Sequence, residues 1–216
     1  MERDKKFIEI KNIFRSNFIG FEEIMSINKK FQFLFIDKHF NKDIPFPIES
    51  LREKGNEYIL FYFHPILINN DTFSINSLKK YLNKINFKEL HFYNQDWYEN
   101  ENFANKCKDN AGWYLLKKSV YESSRGIAPD LYNTNLRYPS ASLCTYLFFL
   151  NYLVNHTVLW EYDYVWCSDL DTHGDNIYVG RYKDINKINK DGFSIHRHLK
   201  IKNNYGVINC LNNINL

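Results

Sequence analysis

The segment Trp160–Gly180, WEYDYVWCSDLDTHGDNIYVG, carries the strongest structural signal in the chain. From Val158 to Cys167, successive residues fall alternately into two sets, one for each face of an extended chain. This period of two is typical of a β-strand. A dense polar loop follows, and Ile177–Tyr182 then predicts a second strand. A polar loop held between two strands of a rigid sheet is a common way to build a binding site.

The sequence just before this segment predicts a buried helix over Ser140–Asn155. Leucine and valine residues recur there at helical spacing, and phenylalanines fill the other faces. The stretch from Tyr138 to Trp160 contains no Asp, Glu, Lys or Arg, as in a membrane span. Two asparagines and a helix start at Pro139 and Ser140 favour a helix buried in a protein core instead.

Further strands are predicted on the C-terminal side, over Phe193–Ile201 and Tyr205–Leu211. Short connections between successive strands favour an antiparallel C-terminal sheet, which we expect to pack on the helix 140–155. The N-terminal half predicts a mixture of helices and strands. Its helices are expected around residues 7–18, 21–30 and 75–85, its strands around 31–36, 58–68 and 112–120, and a loop over 37–55. The predicted fold class is α+β, with an N-terminal region 1–105 and a C-terminal region 106–216, or a single domain.

Composition limits the classes of function. The chain has 216 residues, 44% of them hydrophobic, and a net charge of +3, so its basic character is too mild to favour nucleic-acid binding. The four cysteines form no Cys-x-x-Cys pair, which argues against a structural zinc site. Glycine-rich phosphate loops are absent, and the first residues lack a signal-peptide pattern. We therefore expect a cytoplasmic protein with reduced thiols and no membrane span.

The polar loop also suggests a metal site. Asp169, Asp171 and Asp175 could bind calcium, although Gly180 stands where an EF-hand needs a glutamate. His196 and His198 lie two residues apart on a predicted strand, so both side chains point the same way and could share a metal with a nearby carboxylate. A divalent metal is thus an open alternative, and no other cofactor is expected.

Several short motifs occur in an order that resembles a known family. They are FYNQDW at 92–97, GWYLLKK at 112–118, YPSA at 138–141, WCSDLD at 166–171, YVG at 178–180 and DGF at 191–193. The order is similar to that of uncharacterised bacterial and phage proteins with a C-type-lectin-like C-terminal region, of the formylglycine-generating-enzyme type. Retroelement-diversified variable proteins use that fold.

The resemblance implies a ligand-binding face built from the C-terminal strands and loops. The residues that it would place there are Asp169, Asp171, His173, Asp175, Asn176, Tyr178, Arg181, His196, Arg197 and His198. It also implies a phage-encoded or virion-associated setting as an alternative to the cytoplasm.

These observations together predict a non-catalytic recognition module for a protein or glycan ligand, because the polar loop lacks a convincing catalytic set. One alternative is a metal-dependent hydrolase or nuclease that uses Asp169, Asp171 and Asp175 with His196 and His198. Another is a structural or assembly protein of a phage particle.

Overall fold

The chain folds into six α-helices and two mixed four-stranded sheets within the residues that the structure describes. The structure is a computed structural model, and it describes residues 2–31, 40, 43–66, 72–132, 135–182, 192–197 and 200–212. The predicted α+β class is confirmed.

The first sheet has the strand order β1-β2-β3-β8. Its strands are β1 (Phe18–Ile19), β2 (Tyr58–Phe63), β3 (Gly112–Lys117) and β8 (Cys210–Asn212). β1 pairs in parallel with β2, whereas β2/β3 and β3/β8 are antiparallel. Every side chain of β2 is buried, which explains its continuous apolar sequence. β1 and β2 precede the predicted boundary at residues 105 and 106, whereas β3 and β8 follow it, so this sheet combines strands from both sides.

The second sheet has the strand order β6-β5-β4-β7. Its strands are β4 (Tyr164–Leu170), β5 (Asn176–Tyr182), β6 (Gly192–His196) and β7 (Tyr205–Gly206). The first three pair antiparallel, as predicted, but β7 is parallel to β4. The expectation of a purely antiparallel sheet is therefore wrong at this edge, because β7 enters from a loop rather than through a hairpin.

The first strand of the predicted hairpin begins later than its sequence pattern indicates. The alternation starts at Val158, yet β4 starts at Tyr164. Trp160 adopts a left-handed backbone conformation with φ of 50°, which breaks the extended path. Its carbonyl accepts from the Arg181 N–H at 3.1 Å, so this segment contacts the end of β5 without joining the ladder.

The helices pack against the sheets and against one another. They are α1 (Glu2–Phe14), α2 (Phe21–Phe31), α3 (Ile48–Arg52), α4 (Ile75–Lys84), α5 (Asn102–Asn105) and α6 (Ala141–Asn155). The short helix α3 lies where a loop was predicted, and it buries Leu51 against the core. Apart from Phe31, which ends α2, the predicted strand 31–36 lies outside the described residues.

Helix α6 is the centre of the hydrophobic core. Ser140 caps it by accepting from the Leu143 N–H at 2.9 Å, and His156 ends it with φ of 54°. Tyr146 packs on Phe63 of the first sheet at 4.7 Å between ring centroids, and Phe148 packs on Phe193 of the second at 4.6 Å. The prediction of a buried helix is confirmed. No helix in the described part of the chain is long and apolar enough to cross a membrane.

The second sheet carries a separate aromatic cluster on the face turned away from α6. Trp166, Tyr178 and Tyr205 are buried there, with Trp166 and Tyr178 directly paired across β4 and β5. Val165 and Val179 alternate with them and face the main core. The two faces of this sheet therefore present different environments to the predicted site residues.

Candidate functional site

The turn between β4 and β5, residues 171–175, is closed by its own backbone and by one carboxylate. We call this turn the hairpin tip. The Asp171 N–H donates to the Asp175 carbonyl at 3.0 Å. The Asp171 Oδ1 accepts from the N–H groups of His173 and Asp175, at 2.8 and 2.9 Å. Gly174, with φ of 89°, supplies the left-handed residue that the turn needs. The side chain of Asp171 thus organises the loop from inside.

The second oxygen of Asp171 forms an ion pair with Arg197, which follows β6. The Asp171 side chain has no exposed surface, while that of Arg197 is 25% exposed. Burial acts to raise the pKa of Asp171, but hydrogen bonds from the Asp175 N–H, the Arg197 guanidinium and the His173 N–H outweigh it and lower the pKa to about 2. Asp171 is therefore a charged structural group.

The same arginine connects the hairpin tip to the segment before α5. Its guanidinium lies over the ring of Trp97, 4.5 Å from the centroid, and 3.8 Å from Glu101. The carboxylate of Glu101 accepts from the Thr172 N–H at 2.9 Å and from the Thr172 hydroxyl at 3.1 Å. We call this set (Trp97, Glu101, Asp171, Thr172 and Arg197) the latch. It fixes the tip to an element about 70 residues away in sequence.

Beside the latch, the tip presents an exposed surface of mixed character. Asn176 at the start of β5 donates to the Asp130 carboxylate at 3.2 Å. Leu131, next to Asp130, is 77% exposed, and Leu170, which pairs with Asn176 across the hairpin, is 54% exposed. The His173 side chain is 70% exposed. We call Asp130, Leu131, Leu170, His173 and Asn176 the tip surface.

Asp169 has a structural contact at the other side of the sheet. Its Oδ2 accepts from the Ala141 N–H at 2.6 Å, at the first turn of α6. Burial raises the pKa of Asp169, and the bond from Ala141 opposes that rise. A carboxylate at a helix N-terminus satisfies an orphan N–H and interacts favourably with the helix dipole. Asp169 therefore helps to hold α6 in place.

His196 lies on the aromatic face of the sheet, away from the hairpin tip. It pairs with Tyr178 across β5 and β6, and the two rings stack at 5.8 Å. The Gln95 amide donates to His196 Nδ1 at 3.2 Å. Burial lowers the pKa of His196 to about 4, so the ring is neutral at physiological pH. Because Asp169 reaches α6 on the opposite face, these two residues do not converge.

The remaining predicted site residues have varied positions. Tyr178 is buried in the aromatic cluster, and Arg181 lies 3.5 Å from Glu161 at the far end of β5. Asp175 lies in the tip, where its backbone closes the turn. His198 falls outside the described residues. Within the described ranges, no three His, Cys, Asp or Glu side chains are grouped so that they could hold a metal ion.

Sequence reasoning missed the partners of the tip. Glu101 and Asp130 contact it from 71 and 46 residues away in sequence, and no local pattern indicates such pairing. No sequence pattern singled out the two exposed leucines, Leu131 and Leu170. The cation–π contact between Arg197 and Trp97 depends on the tertiary fold, because the two residues lie 100 positions apart in sequence.

No protein-family model, curated protein or solved structure matches this chain. The resemblance to C-type-lectin-like proteins stays a prediction.

Proposed function

We propose that this protein is a recognition module that binds a protein partner through the tip surface. The observation that carries the proposal is a pair of exposed leucines, each next to one partner of the Asn176–Asp130 hydrogen bond: Leu131 follows Asp130 in sequence, and Leu170 pairs with Asn176 across the hairpin. Large apolar side chains surrounded by ordered polar groups are typical of protein–protein contact sites.

The latch supports this proposal because it holds the tip in one conformation before any partner binds. Association is weakened when loops must be ordered on binding, so a preformed loop retains more of its interaction energy. The hairpin tip has its turn closed by Asp171 and its side fastened by Glu101. The exposed His173 can then donate or accept at the edge of the contact.

A protein partner is favoured over a glycan by the state of the aromatic rings. Sugar recognition needs an aromatic face that is open for stacking. The face of Trp97 nearest the tip is already covered by the Arg197 guanidinium at 4.5 Å. The exposed apolar side chains of the tip surface are the leucines Leu131 and Leu170, which fill pockets rather than offer a flat stacking face.

The two alternatives from the sequence receive less support. A metal-dependent hydrolase or nuclease needs its aspartates and histidines in one place, whereas Asp169 caps α6, Asp171 pairs with Arg197 and His196 faces the aromatic cluster. Assembly of a phage particle stays a prediction, and light scattering across a range of protein concentrations would test for self-association.

The proposal is tested by affinity capture with the full chain as bait and with matched variants. We expect Leu131→Ser combined with Leu170→Ser to remove a specific interaction that the wild type shows. Ile8→Ser is the control, because Ile8 is similarly exposed, at 58%, but lies on α1. Binding of the captured partner should then be measured with purified proteins.

A partner that binds the wild type, the double variant and the control equally would contradict the proposal. All three proteins should melt at similar temperatures, since both leucines and Ile8 are exposed. Loss of binding in Ile8→Ser alone would also contradict it, because the partner would then contact α1 rather than the tip surface.

A further inference from the structure

A separate cavity opens between β3, β8 and the N-terminal end of α6. Its volume is ≈ 260 Å³. The side chains that matter for its chemistry are Asp109, Tyr114, Arg137, Ser140, Ser168 and Cys210. Arg137 and Ser168 are exposed and form the rim, while Cys210 is buried at the base. None of these residues belongs to the tip surface.

One wall of the cavity carries a carboxyl group that is mostly withdrawn from solvent. The Ser140 hydroxyl and the Cys107 thiol both donate to Asp109 Oδ2, the thiol at 3.6 Å. Among the described residues, no other residue donates a hydrogen bond to the second oxygen, Oδ1. Burial raises the pKa of Asp109, and the bond from Ser140 opposes that rise. A cationic ligand would relieve the cost of keeping this carboxylate charged.

The rim carries the opposite charge. The Arg137 guanidinium donates to the neutral Asn212 Oδ1 at 3.0 Å, and among the described residues it forms no ion pair with a carboxylate. Arg137 lowers the pKa of Asp109 through space, so the two charges act on each other across the cavity. A carboxylate on the wall and a guanidinium on the rim, not paired with each other, leave room for a molecule that carries both complementary charges.

A second cavity, ≈ 270 Å³ in volume and lined by Phe7, Phe18 and Phe21, differs in this respect. Its charges are Lys11, Glu22 and Glu23. There the ammonium of Lys11 already pairs with both glutamates, at 2.6 and 2.8 Å. The charged groups of this second cavity pair with one another, so a charged ligand would have no unpaired charge to bind there.

We propose that the cavity at the N-terminal end of α6 binds a small zwitterion, a free α-amino acid, with the ammonium group at Asp109 and the carboxylate at Arg137. Its volume lies just below the range of about 300–1,000 Å³ that is typical for drug-sized ligands, so it suits a smaller molecule. The planar guanidinium fork of Arg137 matches a carboxylate. The exposed hydroxyl of Ser168 offers a further polar contact, and the Tyr114 hydroxyl, which donates to the Asn110 carbonyl at 3.0 Å, can only accept.

The test is a thermal-shift screen of the full chain with each standard L-amino acid at millimolar concentration, followed by calorimetric titration. We expect at least one amino acid to raise the melting temperature. Ethylamine, which keeps only the cation, and propionate, which keeps only the anion, should each bind at least about tenfold more weakly.

Variants identify the site. Asp109→Asn and Arg137→Gln should each weaken binding of that amino acid by about tenfold or more. Ser168→Trp should block the rim and abolish binding. Arg52→Gln, which breaks an exposed ion pair with Glu9, is the control and should bind like the wild type. Since Arg137 and Ser168 are exposed, their variants keep the test valid if Asp109→Asn fails to fold.

The proposal is overturned if no amino acid shifts the melting temperature or gives binding heat. It is also overturned if binding survives both Arg137→Gln and Ser168→Trp, or if ethylamine alone binds as tightly as the amino acid. The double leucine variant at the tip should retain amino-acid binding, so failure of this proposal and failure of the recognition proposal give different results.

Discussion

The protonation of a single histidine can be derived from its neighbour. The Ile195 N–H donates to Gln95 Oε1 at 3.2 Å, so the amide of Gln95 must present its NH₂ group to His196. Since an NH₂ group only donates, His196 Nδ1 accepts, and the neutral ring carries its proton on Nε2. Protonation at Nδ1 would break this bond in a mostly buried setting.

This arrangement predicts a pH dependence of stability. The pKa of folded His196, about 4, lies below its ordinary value of 6.5, so the unfolded chain binds more protons between these values. The free energy of unfolding therefore carries its full contribution from His196 above about pH 6.5. It falls by on the order of 2–3 kcal/mol as the pH falls toward 4. Urea unfolding of the wild type and His196→Asn should show their free-energy difference shrinking by that amount.

His91 is the control position, because its side chain is exposed. A constant difference between wild type and His196→Asn across this pH range would contradict the prediction. The asparagine retains an acceptor for Gln95, so the comparison reports the effect of protonating His196 rather than the loss of that hydrogen bond.

The carboxylate in the hairpin tip supports a second prediction. Asp171→Asn keeps an oxygen for the His173 and Asp175 N–H groups but places an uncharged amide against Arg197. We expect a loss of about 2 kcal/mol in the free energy of unfolding at pH 7. Because the pKa of folded Asp171 is lowered to about 2, this stabilisation is present above pH 4 and disappears as the pH falls through 2.

The comparison for Asp171 is Glu122→Gln, which breaks an exposed ion pair with Arg125 at 2.8 Å. Exposed pairs contribute little, so this variant should unfold near the wild-type midpoint. Equal destabilisation of the two variants would mean that the latch contributes no more than a surface contact.

At the scale of elements, the path of the chain before β4 depends on a glycine in the neighbouring strand. A Cβ at Gly180 would collide with the Asp163 carbonyl oxygen and lie 2.9 Å from the Tyr164 ring. Gly180→Ala should therefore cost about 2–3 kcal/mol, measured by urea unfolding. The collision would push the segment 160–163 away from β5.

Gly174→Ala serves as the comparison, since a Cβ there meets no atom within 4 Å. Its cost comes from the left-handed backbone, with φ of 89°, and should be about 1 kcal/mol. If Gly180→Ala were the milder of the two variants, close packing would not be what sets the start of β4.

The elements that were predicted well are those with local determinants. Helix α6 was predicted because Ser140 supplies a cap and the leucines that follow supply a stripe, all within one segment. The start of β4 was mispredicted because the alternation at Val158 is intact, while the interruption comes from Trp160 and from contact with β5. The same reason hid the role of Asp171: its residue type suggested a ligand, but its partner Arg197 lies 26 residues away.

At the scale of the molecule, the two sheets share one core, and the four strands of the second sheet lie in the chain between β3 and β8 of the first. β2 pairs with β3 across the predicted boundary, and α6 packs on both sheets. We expect fragments 1–105 and 106–216 to be unfolded when separate, and the whole chain to unfold in one transition by circular dichroism. A cooperative melt of either fragment alone would show an independent domain.

Residues 207–209 connect β7 of the second sheet directly to β8 of the first. Each end of this short connection is anchored: Val207 accepts from the Tyr121 N–H at 3.0 Å, and Asn209 accepts from the Lys117 N–H at 3.1 Å. The connection is therefore too short and too firmly hydrogen-bonded to extend before the strands at its ends are pulled. A force that peels β8 from β3 is therefore transmitted within three residues to β7 and β4, so both sheets bear the load together.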